Sequence, residues 1–211
     1  MAWNLPEGFS YLAQTDRRMA DAIAEIGSIC REPAGRLFIG LVQSIIGQQI
    51  SMKAADAVWQ RLSALLGTVT PEQVAAADPM ALKGCGMSHR KATYLLGTAE
   101  AFRSGAIDEA ALADAPDEAV IAALTALPGV GRWTAEMLLI FSLGRQDVMS
   151  FGDFGLRKGL CMLYHHQDMP KARFARYARR FSPYGTAASL ILWEIAAGRA
   201  PQACAWNKPT A

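Results

Sequence analysis

The 211-residue sequence predicts an all-α protein, and three observations carry that expectation. Apolar residues recur at helical spacing. Helix caps stand where those periods begin, and glycine or proline where they end. No convincing run alternates apolar and polar residues in the manner of a strand. Leu37, Phe38, Leu41, Val42, Ile45 and Ile46 share one face of a helix that ends in the polar turn Gly47-Gln48-Gln49. Ser51 caps a second helix that runs to about Leu66 and is closed by Gly67. Thr70-Pro71-Glu72-Gln73 combines a cap, a proline at the first helical position and a glutamine at the capping-box position, so another helix begins there. Asp117 and Glu118 suit the positive end of a helix carrying Val120, Ile121, Leu124 and Leu127. Ser182-Pro183 precedes an apolar helix, Leu190 to Ala197, that stops at Gly198. The connections are short and rich in Gly and Pro, as between packed helices rather than domains on flexible linkers.

With 52% hydrophobic and 19% charged residues and a mean hydropathy of +0.12, the chain has no apolar run near the roughly 20 residues that span a bilayer. The opening MAWNLPEGFSYL lacks the basic start and apolar stretch of a secretory signal. The expectation is a soluble monomer without a membrane partner, cytoplasmic, and at the nucleoid in a bacterial cell. Cys30, Cys85, Cys161 and Cys204 form no CxxC pair, which argues against zinc or iron–sulfur ligation and reads as core thiols in a reducing compartment. The net charge of +2 predicts no partner, but its distribution is uneven. Arg157, Lys158, Lys171, Arg173, Arg176, Arg179 and Arg180 stand against Asp168 alone, as a solvated helical face or, less simply, a phosphate-contacting surface.

Two glycine turns echo each other: Leu82-Lys83-Gly84-Cys85-Gly86 and Leu127-Pro128-Gly129-Val130-Gly131, each leading into a helical segment with a small residue, Ala92 or Ala135. Glycines allow positive φ and the close approach of a backbone or a phosphate. The amides that open the following helix, near Arg132, Trp133 and Thr134, are then aimed at an approaching anion. A tight helix–helix turn is the alternative, favoured for the first copy and balanced against phosphate binding for the second. Gly129-x-Gly131 is not a dinucleotide fingerprint, since Thr134 fills the third glycine position and no strand precedes it. Asp153-Phe154-Gly155 spells a kinase motif without the glycine-rich or catalytic loop a kinase needs. His89, His165 and His166 lack helical zinc spacing and read as surface residues or phosphate contacts.

LPGVGRWTA, followed some 20 residues later by the GD of FGDFGLRK, resembles the helix-hairpin-helix (HhH-GPD) DNA glycosylases, in particular the alkylated-base branch of the DNA-3-methyladenine glycosylase II type. The likeness extends through LFIGLVQSIIGQQISMKAA, LKGCGMSHRKATYL and SLILWEIAAG, from about Arg36 to Gly198. It implies one HhH-GPD domain, with the hairpin at about 118–142. It also implies two helical lobes, about 1–50 with 155–211 and about 51–150, and an active-site cleft between them. The separate N-terminal β-containing domain of longer relatives is expected to be missing.

Strand-cleaving members carry a nucleophilic lysine directly after the G-R of the hairpin, where this sequence has Trp133. The resemblance therefore implies a monofunctional enzyme that initiates base excision repair by hydrolysing alkylated bases from double-stranded DNA. The alternatives are a strand-cleaving lyase and a non-catalytic damaged-DNA-binding module. With Cys204 alone in the tail QACAWNKPTA, no iron–sulfur cluster is expected, and no cofactor is required.

Glycosidic cleavage builds positive charge on the sugar, which a carboxylate stabilises, and the resemblance gives that role to Asp153. Read alone, the same aspartate is an N-cap. A methylated purine is cationic, so its recognition falls to aromatic faces. Trp133 and Trp193 are the candidates, with Met137 where a relative has tyrosine and with Gln48 beside them. Trp193, among apolar neighbours, also reads as core. Gln49 takes the place of a leucine wedge that fills the gap when a base leaves the stack. Gly129, Val130, Gly131, Arg132 and Thr134 form the phosphate-binding hairpin, and the carbonyls of Thr125, Leu127 and Val130 are implied to hold Na+ or K+.

Overall fold

The computed structural model describes residues 5–29 and 36–205, and among these it is helical with no strand. The first helices are α1 (Leu5–Thr15) and α2 (Arg17–Ile26). Then come α3 (Leu37–Gly47), α4 (Met52–Leu66), α5 (Pro71–Ala75), α6 (Pro79–Gly84) and α7 (His89–Arg103). The chain continues with α8 (Glu109–Asp114), α9 (Asp117–Thr125), α10 (Arg132–Phe141), α11 (Phe154–Tyr164), α12 (Lys171–Phe181) and α13 (Gly185–Ala196). None of these helices is long and apolar enough to cross a membrane. The caps read from sequence are in place: Ser51 accepts from the Ala54 amide, Thr70 from that of Gln73, and Gly67 ends α4 at φ +71°.

The chain divides after residues 33 and 143 into two compact units, the first holding the two ends and the second the middle. This differs from the expected boundaries near 50 and 150, which placed α3 with the N-terminal helices. The buried face of α3 instead belongs to the middle unit. Phe38, Val42, Ile45 and Ile46 form one core with Val58 and Leu62 of α4, Leu82 of α6 and Leu95 and Ala99 of α7. Fully burying each of the large side chains contributes roughly 1.5–3 kcal/mol. α10 lies against α3 where Gly40 lacks a side chain, since a Cβ there would stand 2.2 Å from Ser142 Oγ and 2.8 Å from Leu138 Cδ2. Glu109 completes the cap of α3 by accepting from the Leu37 amide at 2.8 Å.

In the other unit α13 is the central element, with Thr186 to Leu192 buried without a break, as expected for a helix surrounded by packing. α11 crosses it at Gly159, whose hydrogen faces the Leu192 carbonyl. Asp16 caps α2 by accepting from the Arg18 and Met19 amides and pairs with Arg180 at 2.9 Å. Two readings need correction here. Cys161 and Cys204 are half-buried rather than core, whereas Cys85 is buried, all three are free thiols, and Cys30 lies outside the described residues. His166 is no simple surface residue, because its Nε2 shares a 2.8 Å hydrogen bond with the Tyr177 hydroxyl.

Candidate active site and nucleic-acid interface

The second glycine turn joins α9 to α10 as a helical hairpin. Gly129 takes φ +83°, and a Cβ on it would lie 2.3 Å from the Tyr94 ring, so both conformation and packing require glycine. Val130 is buried, and its amide donates to the Leu127 carbonyl at 3.2 Å. Gly131 caps α10 without a side chain, whereas Ser51, Thr70, Asp78 and Ser88 each place an oxygen on the first turn of their helices. No cap oxygen therefore covers the amides that open α10, the arrangement that suits an incoming anion.

Arg132 does not extend freely from this turn. Its Nη2 and Nη1 bind both Glu118 oxygens, at 2.6 and 3.0 Å, and its Nε binds Glu136 at 2.9 Å. One guanidinium thus ties the first turn of α9 to α10, and it neutralises Glu136, which is buried. The Arg132 bond holds the Glu118 carboxyl below its ordinary range and the guanidinium above its own. Arg132 thus serves to hold the two helices of the hairpin together. Trp133, at the second position of α10, is 49% exposed, while Thr134 and Met137 are buried.

The Gln48-Gln49 turn lies in the same unit. The Gln48 amide donates to the Gly129 carbonyl at 2.8 Å, so this side chain braces the glycine turn. Gln49 is exposed and takes φ +59°, an uncommon conformation outside glycine. Lys91 holds the turn from below, with Nζ donating to the carbonyls of Ile46 and Gln48 at 2.8 and 2.7 Å, and burial pushes its pKa down. Ile50 and Met52, 41% and 85% exposed, continue the turn outward. Beside it opens a cavity of about 310 Å³, whose lining includes Arg90 and Lys91 and no carboxylate.

Asp153 belongs to the other unit and is the helix N-cap that its reading in isolation suggests. Its Oδ1 accepts from the Leu156 amide at 2.8 Å as the N-cap of α11, and also from the Trp193 indole at 3.0 Å. The carboxylate is 8% exposed. α13 positions it from one face. Thr186 Oγ1 accepts from the Val148 amide, Ser189 Oγ donates to the Val148 carbonyl, and Trp193 one turn on reaches Asp153. Residues 186, 189 and 193 recur at helical spacing, so a single helix fixes the segment that delivers the aspartate. Gly155 is the clearance for this contact, since its Cβ would stand 2.8 Å from Trp193 Cδ1.

Sequence reasoning gave Trp193 a stacking role and missed its hydrogen bond, because the residue's apolar neighbours conceal a partner 40 positions away. Phe154, which follows Asp153, is 71% exposed. Among the described residues, no group of three His, Cys, Asp or Glu side chains can hold a metal.

A DNA-3-methyladenine glycosylase 1 of Schizosaccharomyces pombe is 36% identical over 159 residues, which is 73% of this chain and 70% of that protein. The solved DNA-3-methyladenine glycosidase of Bacillus halodurans superposes with a TM-score of 0.83 at 37% identity, covering 96% of this chain and 94% of its own. A 3-methyladenine DNA glycosylase of S. pombe, solved in complex with abasic DNA, gives 0.78 at 30% identity, over 89% and 95%. Residues 42–183 match the profile of the HhH-GPD superfamily base excision DNA repair proteins, and the chain belongs to that family.

Proposed function

We propose that this protein is a monofunctional DNA glycosylase that hydrolyses the N-glycosidic bond of alkylated, 3-methyladenine-type bases in duplex DNA. The observation that carries the proposal is the Asp153 carboxylate, buried and held by the Leu156 amide and the Trp193 indole in a family of base excision repair proteins. As the base departs, positive charge develops on the deoxyribose, and a fixed carboxylate stabilises it without reorganising. The same group orients the water that attacks the sugar and takes its proton. A methylated purine leaves as a neutral base, so the reaction needs no second carboxylate.

Base recognition follows from the exposed indole of Trp133, on which an electron-poor ring stacks with a cation–π attraction of about 0.5–2 kcal/mol, with Met137 one turn below. Gln49 enters the duplex where the nucleotide has left, its backbone pre-set at positive φ. The opening amides of α10 grip one phosphate. Thr125 closes α9 and Leu127 and Val130 follow it through the turn, and their carbonyls are neutral oxygen donors, which suits a monovalent cation. When bound, such an ion adds positive charge beside the phosphate. Trp133 cannot form a Schiff base, so the product is an abasic site on an unbroken strand.

Duplexes each carrying one lesion provide the test. Release of 3-methyladenine-type bases is expected, with strand scission only after alkali and no adduct trapped by borohydride. Binding without release of any alkylated base would make the protein a damaged-DNA-binding module, and a trapped adduct would make it a lyase. Trp193→Phe, which keeps the ring and removes the N–H, is expected to slow single-turnover release about tenfold, since hydrogen bonds to charged groups contribute roughly 1.5–3 kcal/mol. Affinity for abasic DNA should hold while Tm falls by roughly 3–10 °C, and an unchanged rate would show that the indole does not position the carboxylate.

A further inference from the structure

α12 carries Lys171, Arg173, Arg176, Arg179 and Arg180 and no acidic residue. Phe174 and Phe181 anchor its inner side, Phe174 edge-on to Phe151 with ring centroids 5.5 Å apart. Two of the five cations are committed: Arg173 to the Asp168 carboxylate and carbonyl at 2.8 and 2.9 Å, and Arg180 to Asp16. Lys171, Arg176 and Arg179 are exposed and make no ion pair among the described residues. At 3.6 residues per turn these three fall within about 140° of arc, on the side away from Phe174 and Phe181. Arg176 and Arg179, three residues apart, repel each other with no acid to offset them. Burial holds the His166 imidazole below its ordinary value, and the charges of Arg173, Arg176 and Arg18 add to this against Asp168, as expected on a positive face.

We propose that this outer face of α12 is a second nucleic-acid contact, binding the sugar–phosphate backbone of duplex DNA without reading its sequence, on a different unit from the glycine hairpin. The inference rests on the proposed function in taking DNA as the ligand. Lys171 to Arg179 spans about 12 Å of helix, against about 3.4 Å of duplex axis per phosphate on one strand, so each cation can meet its own phosphate. None of the exposed large apolar residues lies on α12. Protein partners usually bury an apolar centre, whereas phosphate contacts need none. The planar fork of arginine, which dominates this face, matches phosphate in two directions.

The test compares wild type with Arg176→Gln/Arg179→Gln on an undamaged duplex of about 30 base pairs, titrated over a range of salt. Losing two phosphate contacts should reduce the slope of log K against log salt by about 1.8, with weaker binding at low salt. Tm and single-turnover release at saturating enzyme on a short lesion duplex should stay at the wild-type values. Arg176→Lys/Arg179→Lys should restore the slope. An unchanged slope in the glutamine variant overturns the proposal, as would a surface that bound acidic protein instead. If wild type and variant differ in slope while neither releases a base, the proposed function fails and this surface stands.

Discussion

Replacing Asp153 by asparagine is expected to lower base release by at least about a hundredfold while leaving fold and affinity for abasic DNA intact. Asparagine caps a helix about as well as aspartate, and its carbonyl oxygen can still accept from the Leu156 amide and the Trp193 indole. The substitution therefore isolates the negative charge. Removing one preorganised electrostatic partner of a charged transition state typically costs about 10²–10³ in rate. Asp153→Ala removes the cap as well, with a further loss of about 1 kcal/mol of stability. Single-turnover release and Tm separate the two effects. Wild-type release by Asp153→Asn would reduce Asp153 to a helix cap and end the catalytic assignment.

The largest structural effect is expected at Gly159. An alanine Cβ there would stand 2.4 Å from the Leu192 carbonyl oxygen and 3.0 Å from its carbon, both main-chain atoms that no rotamer change can move aside. α11 and α13 must separate, and overpacking of this kind costs about 1–3 kcal/mol or more. A chain of this size then loses roughly 3–10 °C in Tm. Activity should fall with it, because Asp153 caps one of these helices and Trp193 follows Leu192 on the other, so their 3.0 Å bond lengthens. Gly97→Ala, inside α7 with nothing within 4 Å, is the control and should be neutral or stabilising by about 0.5–1 kcal/mol. Equal melting temperatures for Gly159→Ala and wild type would refute this account of the α11–α13 contact.

Local signals in the sequence were read well because caps and glycine stops act over three or four residues. Ser51 and Gly67 bound α4 where they were expected to, and Asp153 stands at a helix start as its surroundings suggested. Relations across the chain were not legible. Glu118 lies 14 positions before the arginine it engages, Gln48 lies 81 before Gly129, and Trp193 lies 40 after Asp153. No periodicity encodes such pairs. The same limit misplaced α3: chain order put it with the N-terminal helices, whereas the missing side chain of Gly40 and the shared core with α4 and α7 decide its unit. Composition showed that residues 157–180 are basic, but not which of those cations have a carboxylate partner.

The bond from Gln48 to Gly129 makes the Gln48-Gln49 turn and the glycine turn parts of one mechanical piece. With Lys91 fastened beneath, neither turn can be re-aimed alone. Under the proposed function, a firmly held strand and a yielding base pair would have to coincide before a nucleotide is drawn out.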